Sequence, residues 1–162
     1  MTNRSPTIEP QEGKSEQSPR RGPAHDRLDA FVGRWTIEGR NGEGAPGAAN
    51  TRVTGHESYE WLPGRFFLVY RWERRFGDTQ HTGIAVIGYD DSRDAYTAQF
   101  FDNLGYARSY DATVRERVLT LTGASERASI SVGGGIMMTH WERTTDGVNW
   151  LPLCDLTGTK LT

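Results

Sequence analysis

Apolar and polar residues alternate with a period of two from residue 34 to the end of the chain, which is the pattern of half-buried β-strands. Clusters of Gly, Pro, Asp and Asn interrupt this alternation at a spacing of about ten residues, and these residue types form tight turns. The pattern predicts strands over residues 34–40, 51–61, 66–75, 80–89, 94–101, 106–114, 117–122, 126–132, 136–144 and 149–161.

Such a series of short strands favours a closed barrel. Every connection except the one over residues 40–50 is too short for a Greek-key crossover, which disfavours a two-sheet sandwich. Closure removes the exposed strand edges that promote aggregation. We therefore predict an all-β fold, a closed antiparallel up-and-down β-barrel of about ten strands. The interior of such a barrel is either nearly filled by side chains or holds a small ligand.

The first part of the chain has a different character. Residues 1–25 hold four prolines among charged and hydroxylated residues, so they bury too little apolar surface to offset their conformational entropy. We predict a disordered tail there. Asp26 is a good helix N-cap, and Leu28 and Phe31 then fall on one helical face. The sequence thus predicts one short capping helix and a single barrel domain over residues 26–162.

The composition of the chain indicates which classes of partner and which cellular compartment to expect. Nineteen basic residues against twenty-one acidic ones give a net charge of -2, so we expect no nucleic-acid partner. No apolar run approaches the roughly 20 residues that span a bilayer, and no apolar signal segment is evident at the start, so we expect a cytoplasmic protein without a membrane partner. The single cysteine, Cys154, excludes an internal disulfide. The oligomeric state stays open, with a homodimer among the alternatives.

An ordered set of short motifs resembles a known family. The motifs are FVGRW at 31–35, WLPGRFFL at 61–68, IGYD at 87–90, FDNLG at 101–105 and WER at 141–143, followed by DG at 146–147 and Trp150. Together they resemble the bacterial proteins of domain-of-unknown-function family 1579, over about residues 28–161. The resemblance implies a calycin-type, lipocalin-like barrel. It implies no activity, because that family is functionally uncharacterised.

A lipocalin-like barrel closes at one end around a tryptophan of the first strand. Here Gly33-Arg34-Trp35 opens the first strand, and Lys160 lies near the end of the last one. We expect Lys160 to lie over the Trp35 ring, a cation–π contact of about 0.5–2 kcal/mol. Trp35 and Lys160 are therefore predicted to close the barrel, which is a structural role.

Alternation also selects candidate ligand-binding residues. Aromatic side chains with a few polar tips share one face of several strands, which is the usual lining of a small-molecule site. The candidates are Tyr59, Trp61, Tyr70, Trp72, His81 and Tyr106. A solid aromatic core is the alternative. The glycine-rich stretch over residues 39–47 lacks the Lys-Ser/Thr of a phosphate-binding loop, and we expect a mobile loop over the barrel mouth.

The function predicted from these observations is the binding of a small hydrophobic or amphipathic molecule inside the barrel, without a cofactor. Binding is favoured over catalysis, and no catalytic or metal-binding residue is assigned. One alternative is an isomerase-type or cyclase-type enzyme with acid–base groups at the mouth, formed by Asp102, Asn103, Tyr106, Arg108 and Tyr110, although turn formation explains Asp102 and Asn103 more simply.

Two further alternatives remain open. Nitrobindin-like barrels bind haem through one histidine, but the last strand of this chain has no histidine. His140 lies on the strand before it and points to solvent if Trp141 points inward. His56, His81 and His140 show no metal-ligand spacing. A structural domain with a packed interior and no ligand is the last alternative.

Overall fold

The computed structural model describes residues 18–162, so most of the predicted tail lies outside the described residues. The described chain begins with a short helix, α1 (Pro23–Asp26), which continues into a 3₁₀ turn over Arg27–Phe31. The predicted helix start at Asp26 is therefore wrong by three residues. Pro23 occupies the first helical position, where its fixed φ suits the helix and its missing N–H costs nothing. His25, which the sequence assigns to the tail, is buried.

Ten β-strands follow the helix. They are β1 (Gly33–Asn41), β2 (Arg52–Trp61), β3 (Phe67–Phe76), β4 (Thr79–Asp90), β5 (Ala95–Asp102), β6 (Ala107–Arg115), β7 (Val118–Thr122), β8 (Glu126–Gly133), β9 (Ile136–Thr144) and β10 (Trp150–Lys160). All ten predicted strands are confirmed, and no boundary moves by more than one residue. Turn residues and alternation together thus locate the strands closely.

The strands form one closed antiparallel barrel. Each strand pairs with the strands before and after it in the sequence, and β1 pairs with β10 to close the sheet. The closing register runs from Trp35 opposite Lys160 to Asn41 opposite Cys154. The predicted fold class is confirmed, and the sandwich alternative is wrong. Closure leaves no unpaired strand edge in the described sheet, which removes the template for edge-to-edge aggregation.

One end of the barrel, the closed end, is covered by α1 and the 3₁₀ turn. Leu28 and Phe31 of this segment are fully buried, and Trp35 lies beneath them at 2% exposure. The indole Nε1 of Trp35 donates a hydrogen bond to the carbonyl oxygen of Phe31 at 3.2 Å. The polar group of a large buried ring is therefore satisfied, and the helix is tied to the first strand.

Lys160 and Gly33 complete the closed end. The Lys160 Nζ lies 5.5 Å from the centroid of the Trp35 ring, within the range of a cation–π contact. A Cβ at Gly33 would lie 2.6 Å from the Lys160 Cε, and Gly33 has a φ of +143°. Only glycine leaves room for the lysine stem at this backbone conformation. Trp35 and Lys160 are thus adjacent in the structure; their role in stability stays a prediction.

The opposite end, the open end, carries the β1–β2, β3–β4, β5–β6, β7–β8 and β9–β10 connections. The β1–β2 connection, residues 42–51, is the longest of them. At this end a cavity remains between the inward-facing side chains of the strands. Neither of the two short helices in residues 18–162 is long and apolar enough to cross a membrane.

Candidate ligand-binding cavity

A cavity of about 450 Å³ occupies the open half of the barrel. Small-molecule sites typically measure about 300–1,000 Å³, so this volume suits one small ligand. Seven aromatic residues line it: Tyr70, Trp72, Phe76, Phe100, Tyr106, Tyr110 and Trp141. Its charged lining consists of Arg74, His81, Asp102, Arg108, Glu126 and Arg143. The cavity therefore combines an apolar body with a charged upper rim.

Alternation along β3 directs the key side chains inward. Tyr70, Trp72 and Arg74 are all buried, and the residues between them are exposed. Trp72 has room because Gly83 lies directly opposite it on β4. A Cβ at Gly83 would lie 2.1 Å from the Cζ2 atom of Trp72. A glycine at this position thus lets the indole ring lie against the β4 backbone.

The aromatic wall is a connected set of rings. Phe100 contacts Tyr110 at a centroid distance of 4.9 Å and Trp141 at 6.1 Å, both edge to face. Tyr70 stacks on Tyr59 at 4.3 Å and is 5.1 Å from Trp72. Such aromatic pairs contribute about 0.5–1.5 kcal/mol beyond area burial, so the wall is held in a defined shape.

A buried ion pair lies at the base of the cavity. The Nε atom of Arg74 donates to the Oε1 atom of Glu57 at 2.7 Å, and its Nη2 atom donates to Glu57 and, at 2.5 Å, to the Tyr70 hydroxyl. Burial lowers the pKa of Arg74, but the charge and hydrogen bond of Glu57 together with Tyr70 and Cys154 raise it further, so the pKa lies above its ordinary value. Arg74 is therefore a permanent cation that borders the cavity, and Glu57 neutralises it.

Asp102 is the centre of the polar cluster at the rim. Its Oδ1 atom accepts hydrogen bonds from the backbone N–H groups of Leu104 (3.0 Å) and Tyr106 (3.1 Å). Its Oδ2 atom lies 3.2 Å from the Nε2 atom of His81 and 3.6 Å from Arg108 Nη1. One carboxylate oxygen thus forms the turn that the sequence predicts, and the other faces the cavity side chains.

These contacts change the pKa values of the pair. Burial raises the pKa of Asp102, but the N–H of Tyr106, the hydrogen bond with His81 and the N–H of Leu104 lower it further, so the net pKa is below its ordinary value. Burial lowers the pKa of His81, and the hydrogen bond to Asp102 offsets only part of this effect. Asp102 is therefore charged and His81 neutral at neutral pH.

A second polar group stands across the rim. The Tyr110 hydroxyl donates to the Oε2 atom of Glu126 at 3.0 Å, and the Nη2 atom of Arg108 lies 3.7 Å from Glu126 Oε1. Burial and then the charge of Glu126 raise the pKa of Tyr110, so this phenol keeps its proton. The Arg108 guanidinium lies 4.0 Å from the centre of the Tyr106 ring. Arg108 thus links two carboxylates and one exposed aromatic ring at the mouth.

The β1–β2 loop covers part of the mouth. Its first residues are attached to an irregularity in β10 between Pro152 and Cys154, where Gly42 N–H donates to Leu153 O (3.0 Å) and Gly44 N–H to Pro152 O (2.7 Å). A Cβ at Gly42 would lie 2.3 Å from Pro152 O, so this close approach requires glycine. Residues 45–48 then line the cavity. The sequence predicts a loop over the mouth, and the loop lies there.

Of the six candidate ligand-binding residues, four line the cavity: Tyr70, Trp72, His81 and Tyr106. Tyr59 lies below it and is fully buried against Tyr70. Trp61 lies at the closed end, where its Nε1 atom donates to Asp29 Oδ1 at 2.8 Å. Their part in binding is a prediction that geometry alone does not test. Alternation along β2 puts Trp61 on the inward-facing side of the strand, but β2 ends at this residue, beside the helical segment.

Sequence reasoning missed several lining residues. The wall and base of the cavity also contain Phe100, Trp141 and Arg74. The alternation of inward and outward positions along their strands was the signal that could have identified them. Cys154 is a buried lining residue, and burial raises its pKa to about 11, which agrees with an unreactive thiol. His140 lies on the outer face, 2.5 Å from Asp155, as expected from an inward Trp141.

Within residues 18–162, no three His, Cys, Asp or Glu side chains come together as a metal site. The presence of a cavity also contradicts the alternative of a completely packed interior.

Comparison with known proteins agrees with the fold. No curated protein matches this chain. Among solved structures, the barrel is similar to the zebrafish ileal bile acid-binding protein complexed with cholic acid, with a TM-score of 0.51 and 12% identity. The similarity covers 82% of this chain and 99% of that protein. Residues 20–141 match the profile of a family described as "Protein of unknown function (DUF1579)". The chain therefore belongs to the DUF1579 family.

Proposed function

We propose that this protein binds a small amphipathic molecule in the open-end cavity. The observation that carries the proposal is the composition of the cavity, since an aromatic wall meets a charged rim within one space of about 450 Å³. An apolar ligand body packs against the rings, and its polar groups reach Arg74 or the rim. Small-molecule sites typically combine an apolar lining with a few polar groups that orient the ligand.

Two other observations support the proposal. The similar zebrafish barrel is described in complex with cholic acid, an amphipathic molecule, although a shared fold by itself does not confer function. The single cysteine and the balanced charge agree with the cytoplasmic location that the sequence predicts. The ligand would then be a metabolite of the cell interior.

Binding of the neutral fluorophore N-phenylnaphthylamine tests the proposal. We expect saturable fluorescence enhancement at one site per chain. Cys154→Phe places a ring in the cavity and should weaken binding by at least about tenfold. Thr159→Phe introduces the same ring on the exposed face of the same strand and should leave affinity unchanged. Absence of saturable binding, or equal affinity in Cys154→Phe, would contradict the proposal.

A further inference from the structure

We propose that the open-end cavity supports proton transfer at carbon on an enolisable carbonyl compound. In this reaction His81 is the general base, Asp102 positions it, and Arg74 donates a hydrogen bond to the carbonyl oxygen. The inference rests on the proposed binding function, because the carbonyl compound must first occupy the cavity.

The hydrogen bond between His81 and Asp102 defines the base. Asp102 is an acceptor, so the His81 Nε2 atom at 3.2 Å carries the proton, and the lone pair lies on Nδ1. Within residues 18–162, the hydrogen bond found for the His81 side chain involves Nε2 and not Nδ1. Asp102 is itself held by two backbone N–H groups. A base held by an oriented carboxylate is the arrangement that general-base catalysis requires.

Arg74 lies beside this base. Arg74 of β3 and His81 of β4 are directly opposite each other in the sheet, and both line the cavity. Side chains at such cross-strand positions start about 4.5–5.5 Å apart at Cβ. The Nε and Nη2 atoms of Arg74 are occupied by Glu57 and Tyr70. Its Nη1 atom has no hydrogen-bond acceptor among the described residues, and it is the donor that remains for a ligand oxygen.

The reaction needs no other reactant. The C–H bond next to the carbonyl breaks, and its proton forms an N–H bond at Nδ1 of His81. The electron pair of the C–H bond forms a C=C bond, and the carbonyl oxygen becomes an enolate oxygen that Arg74 stabilises. Asp102 stabilises the imidazolium. Return of the proton to the same carbon or to a conjugated one restores His81 and gives exchange or isomerisation.

Charge balance favours a neutral carbonyl compound over a carboxylate. Arg74 is already neutralised by Glu57, and Arg108 lies between Asp102 and Glu126. Arg143 is directly opposite Glu126 in the sheet. Two of the three lining arginines, Arg74 and Arg108, are therefore already paired with carboxylates, whereas a carbonyl oxygen needs only one N–H donor.

A second His–Asp pair provides a matched control on the same molecule. His140 Nδ1 lies 2.5 Å from Asp155 Oδ1, but this pair is on the outer face of β9 and β10, and neither residue lines the cavity. If exchange required only a histidine next to a carboxylate, substitution of either histidine would reduce its rate. An effect that depends on the cavity responds only to His81.

The tautomer of His81 is tested first, on the unmodified protein, by proton–nitrogen correlation NMR. We expect the neutral Nε2–H form at neutral pH. A dominant Nδ1–H form would overturn the proposal, because the basic nitrogen would then face Asp102 and not the ligand. This measurement needs no ligand and no variant.

Deuterium exchange into β-tetralone, an aromatic ketone, then tests the reaction in D₂O. We expect the protein to exceed an equal concentration of free imidazole by about a hundredfold, the lower end of the usual contribution of a general base. His81→Gln should lose this factor when the rate is expressed per molecule of bound ketone, and His140→Gln, outside the cavity, should exchange at the unmodified rate. Equal exchange in His81→Gln and the unmodified protein, or a rate no greater than that of imidazole, would overturn the proposal.

The pH profile tests the role of Asp102. Arg74 from β3, Asp102 from β5 and Arg108 from β6 face the His81 ring, with Glu126 of β8 behind Arg108. Exchange should rise with pH as His81 loses its proton and level off near neutrality. Asp102→Asn should move this midpoint to lower pH, because the imidazolium loses its carboxylate; an unmoved midpoint would overturn the positioning role. Absence of fluorophore binding would instead contradict the proposed binding function.

Discussion

The closed and open ends of the barrel are built from the same ten strands, yet their interiors differ. At the closed end, the inward positions hold Leu28, Phe31 and Trp35, which are buried at 2% exposure or less. At the open end, the inward positions include Arg74 and Asp102, whose hydrogen-bonding needs prevent uniform apolar packing. The comparison teaches that one end is packed with apolar side chains, whereas the other encloses a cavity lined in part by charged groups.

The largest expected effect lies at the closed end. Trp35→Ala should lower the free energy of unfolding by about 3–5 kcal/mol, because it removes a buried ring and leaves a cavity. Urea unfolding measures the change. Trp150→Ala, which removes a half-buried indole packed on Arg127, should cost less than about 1 kcal/mol. A cost below 1 kcal/mol for Trp35→Ala would contradict its placement in the core.

The next largest effect lies at the base of the cavity. Arg74→Met should cost about 3 kcal/mol, because it leaves the buried Glu57 carboxylate without a counter-charge. Replacing both partners, as Glu57→Gln with Arg74→Met, should recover most of this loss. Arg71→Met, on the exposed face of the same strand, should change stability by less than about 0.5 kcal/mol. Equal costs for Arg74→Met and Arg71→Met in thermal unfolding would show that the pair is not buried.

A smaller effect is expected where the wall meets β4. Gly83→Ala forces the Trp72 ring away from β4 and should cost about 1–3 kcal/mol, the range for overpacked sites. The displaced ring should also weaken fluorophore binding. Gly133→Ala is the control, because a Cβ there meets nothing within 4 Å. Unchanged stability and unchanged binding in Gly83→Ala would contradict the observed contact between Gly83 and Trp72.

The smallest effect concerns pH. Burial keeps the pKa of His81 in the folded state below its ordinary 6.5, so the unfolded chain binds more protons between these two values. Stability should therefore rise with pH up to about 6.5 through this residue and level off above it. In His81→Gln, unfolding measured at pH 5 and pH 7 should show a smaller difference than in the unmodified protein. An equal difference would show that His81 is not desolvated.

Sequence alternation fixed the strands and the closure of the barrel because both depend on local period and turn chemistry. The cavity depends on where long side chains end, which no local pattern encodes. Arg74 illustrates the limit, because a charged residue on an alternating strand is ordinarily assigned to solvent, whereas here Glu57 of the neighbouring strand makes its burial possible. Trp61 illustrates the opposite error. Alternation along β2 predicts that it faces the interior, but the strand ends there, so Trp61 lies at the closed end and not in the cavity.

The helix start was misjudged for a related reason. Pro23 follows a run of polar residues that resembles an unfolded segment. Contacts with distant strands and loops bring this segment into the fold, among them those of His25 with Phe66 and Tyr89, at 5.4 Å and 5.8 Å. These contacts join segments that are more than forty residues apart in the sequence. Long-range packing of this kind is not encoded in the local sequence pattern that predicts a helix start.

The pairing of Trp35 with Lys160 places α1 and the last residues of β10 on the same side of the barrel. Leu161 extends this arrangement with a hydrogen bond from its N–H to Arg34 O at 2.8 Å. The β1–β2 loop and the Asp102 turn face the other way. A surface tether or fused reporter attached after Thr162 would therefore project away from the cavity opening, which makes immobilised binding assays practical.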